Sequence, residues 1–406
     1  MSKKNIQFND DFLRAIPKTD LHLHLDGSLR LKTLIDLAKK EKIKLPSYSE
    51  EGLKEKVFKK RYNSLDEYLK GFAYTCAVLQ NPESLERTAY ELALDNFNEG
   101  VRYIEIRFAP QLHINKSQSF EDVMYAIDRG LKKAKKEINN KIREDEPQFE
   151  YGIIVCAMRF FNKHFSQFYS DVFNLHRFSS EKDIIKTASL ELAQAAIYLK
   201  NNSDIQIVAF DLAGSEDGYP AENHKESYDF VHKHFMMKTV HAGEAYGPES
   251  IFQAITILHA DRIGHGLFLF DTDKIYSDDI IDKKKYVDDL VNYIAEKRIT
   301  LEVCLTSNLQ TVPEITNIKK HPLGEMLKNK LSITICTDNR LVSNTTITNE
   351  IKLALENFDI NKKQLKNIII YGFKRSFFFK PYSEKRDYVR GIINYYEKLE
   401  NRFLLS

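Results

Sequence analysis

Two histidines near the start of the chain, His22 and His24, have a spacing that suits metal binding. They belong to the segment 21–27, in which leucines alternate with polar side chains, the two-residue period of a β-strand with one polar face. Imidazoles two positions apart on a strand point to the same side and can bind one metal ion together. The same pattern also occurs in strands that only bury or expose two histidines, so a metal site requires further ligands elsewhere.

Further candidate ligands stand at the ends of two later segments that read as strands. His241 lies in the segment 237–242, and Asp338 follows the segment 331–337. A catalytic zinc site needs a small set of nitrogen and oxygen ligands and an open position for water. Together with His22 and His24, these residues supply three imidazoles and one carboxylate, and Asp338 can also accept a hydrogen bond from a bound water. The set predicts a site for one Zn²⁺ per chain.

Two more residues near strand ends are candidates for catalysis. Glu244 lies three residues beyond His241, and Gly243 lets the backbone turn sharply there, so Glu244 is predicted to move protons rather than to bind the metal. His265 stands between two glycines, with little neighbouring bulk to shield it from a cavity; alternatively, backbone partners satisfy it. The other histidines lie in helical or loop patterns and are interpreted as structural or surface residues: His113, His164, His176, His224, His232, His234, His259 and His321.

The candidate residues share a position relative to the predicted secondary structure. Eight short β-rich runs alternate with longer helical stretches, the pattern of a parallel sheet in an α/β protein. The predicted strands are 18–25, 101–108, 151–158, 205–212, 237–242, 262–266, 299–304 and 331–337. Eight units favour a (β/α)8 TIM barrel over an open doubly wound sheet, and residues 1–406 are interpreted as one barrel domain. Because barrel chemistry is assembled at the C-terminal strand ends, the candidate residues are placed where an active site is expected.

A long helical insertion separates the first two predicted strands, between residues 28 and 100. Within it, an apolar stripe with the spacing i, i+3, i+4 and i+7 follows Ser64, a possible helix N-cap. The stripe consists of Leu65, Tyr68, Leu69 and Phe72. It predicts either a helix packed on the core or a hydrophobic wall over a ligand pocket. Helical patterns after Thr348 predict extra C-terminal helices without a separate domain.

The composition favours a globular protein that binds a small ligand. Of the 406 residues, 43% are hydrophobic and 29% are charged, which is ordinary for a chain that buries a sizeable core. The net charge is +2 from 60 basic and 58 acidic residues, so a nucleic-acid-binding surface is not expected. No stretch has the apolar length of a membrane span, and the four scattered cysteines are typical of reduced thiols in a cytoplasmic protein.

The motifs that carry these residues resemble those of the adenosine deaminase family in the amidohydrolase superfamily. In chain order they are KTDLHLHLDGS at 18–28, DLAG at 211–214, VHAGE at 240–244, DRIGHG at 261–266, LEVC at 301–304 with SN at 307–308, and TD at 337–338. They extend over almost the whole chain in the order of the family. The resemblance implies a zinc-dependent hydrolase that converts adenosine, and by extension 2′-deoxyadenosine, to inosine and ammonia in purine salvage.

The resemblance also implies a role for each matching residue. Glu244 corresponds to the proton donor to the purine, and His265 to the residue that orients the attacking hydroxide. Asp26 corresponds to a residue that holds the ribose 5′-hydroxyl, and Gly214 to a backbone donor at purine N3. The apolar stripe 65–72 is similar to the lid helix of the family, which favours the pocket-wall interpretation. The residues that correspond to zinc ligands are His22, His24, which also faces the substrate, His241 and Asp338.

Two side chains bear on substrate choice. The best-known family members have a second Asp where this chain has Asn339. Purine N7 accepts hydrogen bonds, so a carboxylate pairs with it only when protonated, whereas the Asn339 amide can donate at any pH. Purine binding is therefore expected to persist. Asp26 should accept a hydrogen bond from a 5′-hydroxyl and repel a phosphate, which favours nucleosides over nucleotides.

Several alternatives remain open at the level of sequence. The chain could deaminate free adenine or a modified adenine nucleoside. A binuclear amidohydrolase is disfavoured, because no lysine able to bridge two metals occurs in the predicted strand 205–212. A non-catalytic binding or signalling relative would be expected to lack a ligand or the acid. The expected partner is a small purine nucleoside, with neither nucleic acid nor membrane involved, and the expected state is a monomer or weak homo-oligomer.

Overall fold

Eight parallel strands form one sheet in the computed structural model, which describes residues 8–312 and 314–404. The strands are β1 (Lys18–His24), β2 (Val101–Phe108), β3 (Glu150–Met158), β4 (Ile207–Ala213), β5 (Met237–Ala242), β6 (Arg262–His265), β7 (Thr300–Val303) and β8 (Ser332–Ile335). Each pairs with the next in chain order. β1 and β8 meet through a parallel bridge between Leu23 and Asp338. The predicted (β/α)8 barrel is confirmed.

The observed strand boundaries lie within two residues of the predicted ones. Nearly every strand residue is buried, on both faces, as expected for strands that line a barrel and are covered by helices. Such strands read as short β-branched runs, which is why the sequence reveals them. The predicted and observed boundaries differ where the backbone leaves the extended conformation, as it does at Gly266, which has a φ of +62°.

The predicted helical insertion after β1 is also confirmed. Helix α1 (Asp10–Ala15) precedes β1, and the insertion holds α2 (Leu31–Lys40), α3 (Glu50–Lys56), α4 (Leu65–Leu69), α5 (Phe72–Val78) and α6 (Pro82–Phe97). The later crossovers hold α7 (Phe120–Asn139), α8 (Gln167–Leu175), α9 (Glu181–Asn202), α10 (Lys225–Lys233), α11 (Pro248–Thr256), α12 (Lys283–Lys297), α13 (Leu305–Thr311) and α14 (Leu323–Lys328). Short 3-10 helices lie at Pro110–Leu112, Ala221–His224, Thr272–Lys274 and Ile318–Lys320.

The predicted C-terminal helices follow β8. They are α15 (Ile347–Asn357), α16 (Lys362–Arg375) and α17 (Tyr382–Leu404). A capping box between Asn361 and Gln364 fixes the start of α16, which packs against β1 and β8. The approach is close, because a Cβ added at Gly372 would lie 2.1 Å from Thr19 Oγ1. Within the described ranges, none of the helices combines the length and apolarity needed to cross a bilayer.

Candidate metal centre and active site

The four predicted zinc ligands converge at the C-terminal ends of three strands. His22 and His24 lie on β1, His241 lies on β5, and Asp338 follows β8. His24 Nε2 is 3.1 Å from His241 Nε2. Asp338 Oδ1 is 3.4 Å from His22 Nε2 and 3.5 Å from His24 Nε2. The ligand atoms of all four lie within 4.8 Å of one another, so the structure brings together the set that the sequence predicts.

This arrangement fits a zinc ion. In a tetrahedral site with bonds of 2.0–2.1 Å, ligand atoms are roughly 3.3–3.5 Å apart, close to the observed separations. His22 Nε2 is buried and has no hydrogen-bond partner among the described residues, as expected of an atom that binds a metal. Burial lowers the pKa of His24 and of His241, so both imidazoles are neutral and carry the lone pair that a metal requires.

Carboxylates behind the ligands orient the imidazole rings. Glu302 Oε2 lies 2.8 Å from His22 Nδ1, and Asp211 Oδ2 lies 3.2 Å from His241 Nδ1. Each ring therefore donates through Nδ1 and directs Nε2 towards the centre of the site. Metal-binding histidines generally have such an acceptor behind them, because it fixes the tautomer and the orientation of the ring.

One arginine links the two orienting carboxylates. Arg107, on β2, donates to Asp211 Oδ2 at 3.0 Å, to Glu302 Oε2 at 2.8 Å and to the Leu21 carbonyl at 2.6 Å. All three charged side chains are fully buried. Burial alone would raise the pKa of both carboxyls, but the charge of Arg107 and the hydrogen bonds from the histidine rings hold each pKa below its usual range. The carboxylates therefore stay ionised and able to accept from the rings.

The backbone conformation of Asp338 and a hydrogen bond from α13 fix the position of its side chain. Its φ is +61°, a left-handed conformation that is rare for residues other than glycine. The Ser307 hydroxyl donates to Asp338 Oδ2 at 2.6 Å, which leaves Oδ1 to face the imidazoles. His265 has a similar φ of +65°. Such strained residues persist where the surrounding contacts determine them, and they are frequent at functional sites.

The turn that carries Glu244 is held by a second carboxylate, that of Glu216. It accepts the backbone N–H groups of residues 243, 244, 245 and 246 at 3.0, 3.0, 2.7 and 3.0 Å, together with the Ser250 hydroxyl. Glu216 is 3% exposed, and Gly243 adopts a φ of +71°. Consecutive N–H groups that point inwards form a nest for an anion, so Glu216 determines the path of the turn.

Glu244 is buried close to His265 and carries a proton at neutral pH. Its Oε2 atom lies 3.7 Å from His265 Nε2. Burial, followed by the negative charges of Asp338 and Glu216, raises the pKa of Glu244 to about 8. A carboxylic acid with such a pKa can donate a proton to a substrate near neutral pH.

A chain of hydrogen bonds sets the tautomer of His265. It starts at the Leu323 N–H, which donates to His321 Nδ1 at 3.1 Å, so His321 carries its proton on Nε2. His321 Nε2 is 3.2 Å from Asn308 Oδ1, and Asn308 Nδ2 is 3.1 Å from His265 Nδ1. Since His265 Nδ1 accepts and burial lowers the pKa of this ring, Nε2 carries the proton and faces Glu244. His265 is therefore a hydrogen-bond donor on the side of the metal site.

The predicted substrate contacts lie beyond the ends of β1, β4 and β8. Asp26 is 3% exposed, and burial raises its pKa to about 7. Gly214 follows β4 at φ +99°, where other residues would be strained. Asn339 Nδ2 donates to the Tyr68 hydroxyl at 2.8 Å, while Asn339 Oδ1 has no partner among the described residues. A Cβ added at Gly27 would lie 1.8 Å from that oxygen, so glycine is required beside Asn339.

The prediction of one continuous lid helix is wrong. Ser64 does cap α4, but α4 ends at Leu69 and α5 begins at Phe72. Between them, Lys70 and Gly71 donate to carbonyls three residues back, at 3.3 Å each, so the chain tightens locally into a 3-10 turn. Phe72 therefore does not continue the stripe formed by the other three residues. Tyr68 is buried and bonded to Asn339, whereas Leu65, Leu69 and Phe72 are only partly buried against the core.

Several residues that build the site were not singled out from the sequence. Arg107 is one of them, although an arginine inside a predicted barrel strand is itself a signal, because a buried charge requires partners. Glu216 follows β4 at the same edge as the other site residues, yet nothing in its local pattern distinguishes it from a surface acid. His321 and His113 were interpreted as structural or surface residues; both are buried, and each holds a defined tautomer.

Known proteins match this chain in sequence and in fold. A family model described as adenosine deaminase matches residues 17–195 and 183–395. An adenosine deaminase of Vibrio atlanticus (strain LGP32) is 35% identical over 90% of this chain and 95% of its own length. A probable adenosine deaminase of Dictyostelium discoideum is 31% identical over 94% of this chain, which spans 43% of that longer protein. The Arabidopsis protein ADAL, solved in complex with IMP, superposes with a TM-score of 0.72 at 21% identity, covering 97% of this chain and 99% of its own.

Proposed function

The chain belongs to the adenosine deaminase family, and on that premise we propose that it deaminates adenosine and 2′-deoxyadenosine hydrolytically, with zinc, in purine salvage. The observation that carries this proposal is that His22, His24, His241 and Asp338 converge on one point, and that the buried carboxyl of Glu244 lies beside them, 3.7 Å from His265. A metal site alone would suit many hydrolases. A buried acid beside it suits a reaction in which a ring nitrogen must gain a proton while water adds to the neighbouring carbon.

One zinc ion per chain would be held by His22, His24, His241 and Asp338. A zinc ion held there would lower the pKa of a coordinated water to about 7 and so supply a hydroxide nucleophile at neutral pH. The Asp338 carboxylate faces the imidazoles through Oδ1, where it can also accept a hydrogen bond from the nucleophile. The His265 Nε2–H can donate to the same oxygen and so orient it towards the substrate.

Glu244 provides the proton that the purine needs. As the nucleophile adds to C6, the ring loses its aromaticity, and a proton given to N1 by Glu244 stabilises the electrons that move there. The resulting Glu244 carboxylate can then carry the proton of the added hydroxyl to the amino group at C6, which departs as ammonia, and Glu244 regains its own proton from the one that the water released on becoming hydroxide. The balance is adenosine plus water to inosine plus ammonia, and Glu216 holds Glu244 in place through the turn.

Three further residues are proposed to bind the substrate through hydrogen bonds. Asp26 binds the ribose 5′-hydroxyl, the Gly214 N–H donates to purine N3, and Asn339 donates to purine N7. An amide nitrogen carries two hydrogens, so the bond from Asn339 Nδ2 to Tyr68 leaves one N–H for the purine. Tyr68, with its partly buried neighbours on α4 and α5, then covers the pocket from the side of the insertion.

The choice between a nucleoside and a nucleotide depends on the surroundings of Asp26. Among the described residues, His113 lies within ion-pair distance of Asp26, and burial keeps its ring neutral by lowering its pKa to about 4. A 5′-phosphate at this point would have no cation among these neighbours to balance its charge, and ionisation of Asp26, whose pKa burial raises to about 7, would add repulsion. We therefore propose a nucleoside substrate, although the Arabidopsis relative was solved with a nucleotide.

The activity can be tested by the change in absorbance when metal-replete protein is given adenosine, with a chelator as the control. Glu244→Gln should keep zinc and lose turnover, whereas His241→Ala should lose zinc, which elemental analysis detects. Relative rates on adenosine, 2′-deoxyadenosine, free adenine, N6-methyladenosine and adenosine monophosphate separate the proposal from its alternatives. Turnover that resists the chelator, or full activity in Glu244→Gln, would refute the mechanism, and no turnover on any substrate would favour a binding protein.

A further inference from the structure

A second group of metal-binding side chains lies around Asp26, on residues separate from the zinc ligands. Asp26 follows β1, Cys76 lies on α5, and His113 follows the 3-10 helix Pro110–Leu112. Asp26 Oδ2 is 4.0 Å from Cys76 Sγ and 3.9 Å from His113 Nε2. One ligand atom from each residue lies within 4.8 Å of the other two. Three separate elements thus bring a carboxylate, a thiol and an imidazole to one point.

His113 has the hydrogen-bonding state of a metal ligand. Its Nδ1 atom lies 3.1 Å from the Leu79 carbonyl, which can only accept, so Nδ1 carries the proton. Burial keeps the ring neutral, and Nε2 therefore presents a lone pair. That atom is fully buried and has no hydrogen-bond partner among the described residues. An acceptor behind Nδ1 is also the arrangement of the proposed zinc ligands His22 and His241, and His22 shares with His113 an Nε2 without a hydrogen-bond partner.

Asp26, beside His113, also has a buried acceptor atom without a donor. Asp26 Oδ1 is buried without a partner in the described part of the chain, and the Cys76 thiol offers a single weak hydrogen to the other Asp26 oxygen. Buried acceptors without donors are costly, because their interactions with water are lost without replacement. A cation would satisfy all three at once. In a tetrahedral zinc site such donors are roughly 3.3–3.7 Å apart, so the two separations from Asp26 would need to close by about 0.4–0.6 Å, and the one between Cys76 and His113, which is at most 4.8 Å, by no more than about 1.2 Å.

We propose that Asp26, Cys76 and His113 form a second cation site, which takes a borderline or soft divalent ion such as Zn²⁺ or Cd²⁺. A thiolate and an imidazole select such ions over Mg²⁺ and Ca²⁺, which require oxygen ligands. Three protein ligands leave at least one position open. Binding forms bonds from the cation to sulfur, nitrogen and oxygen, and the Cys76 thiol releases its proton to solvent, because the thiolate is the ligand.

Occupation of this site has a consequence for the proposed activity. Asp26 is also the proposed contact of the nucleoside 5′-hydroxyl, so a cation at this point and a nucleoside compete for the same carboxylate. This consequence rests on the proposed function, whereas the cation site itself does not. An excess of zinc, beyond the ion needed for catalysis, should therefore inhibit the protein, and the inhibition should be competitive with adenosine.

The test uses the full chain, first loaded with one equivalent of zinc and then titrated with Cd²⁺. A thiolate ligand gives Cd²⁺ a strong ultraviolet charge-transfer band, and the zinc ligands contain no sulfur, so cadmium there is silent in this region. We expect a band that saturates at one equivalent and is absent in Cys76→Ser, a nearly isosteric change. His113→Leu should weaken cadmium binding at least about tenfold. Cys336→Ser, which removes another buried thiol, is the matched control and should keep the band.

The outcomes separate the two proposals. No saturable band, or a band that survives in Cys76→Ser, overturns the cation site whatever the activity of the protein. A band that requires Cys76 and His113 supports it, and adding saturating inosine should then weaken cadmium binding. If the band persists unchanged in inosine, the cation site stands and the assignment of Asp26 to the 5′-hydroxyl is wrong. Circular dichroism of each variant checks that the fold is retained.

Discussion

Glu216→Gln is the change that tests most directly how the fold positions the catalytic acid. The carboxylate accepts four consecutive backbone N–H groups and the Ser250 hydroxyl. A glutamine has one acceptor oxygen, and its NH₂ group would face an N–H of the turn. If the oxygen takes the place of Oε2, three of the four backbone bonds survive and the Gly243 N–H loses its acceptor.

The cost can be estimated from these contacts. A buried N–H left without an acceptor costs about 1–3 kcal/mol. Charge-assisted bonds are about twice as strong as neutral ones, so the three that remain together lose roughly another 1–2 kcal/mol. We expect the free energy of unfolding to fall by about 2–5 kcal/mol in total. Because a displacement of about 1 Å of a catalytic group can reduce a rate about a hundredfold, kcat should fall by about 10- to 100-fold.

The assay compares kcat, KM, zinc content and the pH profile of the variant with those of the wild type. KM and zinc content should change little, since Glu216 contacts neither the proposed substrate residues nor the metal ligands. The acid form of Glu244 is the active one, so kcat falls as pH rises through its pKa, which burial raises to about 8. Loss of the Glu216 charge lowers the pKa of Glu244, so the decrease in kcat should occur at lower pH. Asp128→Asn is the control for lost stability, because it neutralises another buried carboxylate, which is bonded to Tyr151. It should leave the pH at which kcat decreases unchanged.

A double-mutant cycle decides whether Glu216 acts through Glu244. If it does, Glu216→Gln should reduce kcat strongly in the wild type and hardly at all in the Glu244→Gln background, where the acid is already absent. An equal loss in both backgrounds would refute the reasoning and leave Glu216 with a purely structural role.

Three other substitutions test separate parts of the site. Arg107→Met leaves two buried carboxylates without their cation and should cost about 3–5 kcal/mol of folding free energy, with weaker zinc binding in a chelator competition. Asn308→Asp removes the donor to His265 Nδ1, so the ring should shift its proton to that atom; kcat should fall while zinc is retained, and unchanged kcat would contradict the assigned tautomer. Asn339→Asp should make KM for adenosine rise with pH as the new carboxyl ionises, and a pH-independent KM would exclude a contact with purine N7.

The fold and the convergence of the four proposed metal ligands could be predicted from the sequence for a physical reason. Barrel strands are buried on both faces, so they appear as short β-branched runs, and barrel geometry places their C-terminal ends together. Residues at those ends, such as His241 and Asp338, can therefore be grouped without knowledge of the tertiary structure. The family resemblance added roles for them, and the structure brings the four ligands within reach of one another.

The supporting contacts could not be predicted in the same way. Glu216 acts on backbone N–H groups far along the chain, and backbone donors carry no signature in a sequence. The proton on His265 Nε2 is set through Asn308 and His321, a relay that depends on distances of about one hydrogen bond each. The break between α4 and α5 at Gly71 was not predicted, because the helical spacing of apolar residues in the sequence continues across it. Only the backbone hydrogen-bond pattern changes there.

The bridge between β1 and β8 has a consequence for how the protein is made. His24 N donates to the Asp338 carbonyl, and Asp338 N donates to the His22 carbonyl, both at 2.8 Å, so three of the proposed metal ligands form the seam of the barrel. β1 and β8 are the first and last strands of the barrel, so a nascent chain has His22, His24 and His241 but lacks Asp338 until β8 has emerged. Zinc is therefore expected to bind late, after the barrel has closed, and to stabilise the contact between β1 and β8. Removal of zinc should weaken that contact before other parts of the barrel.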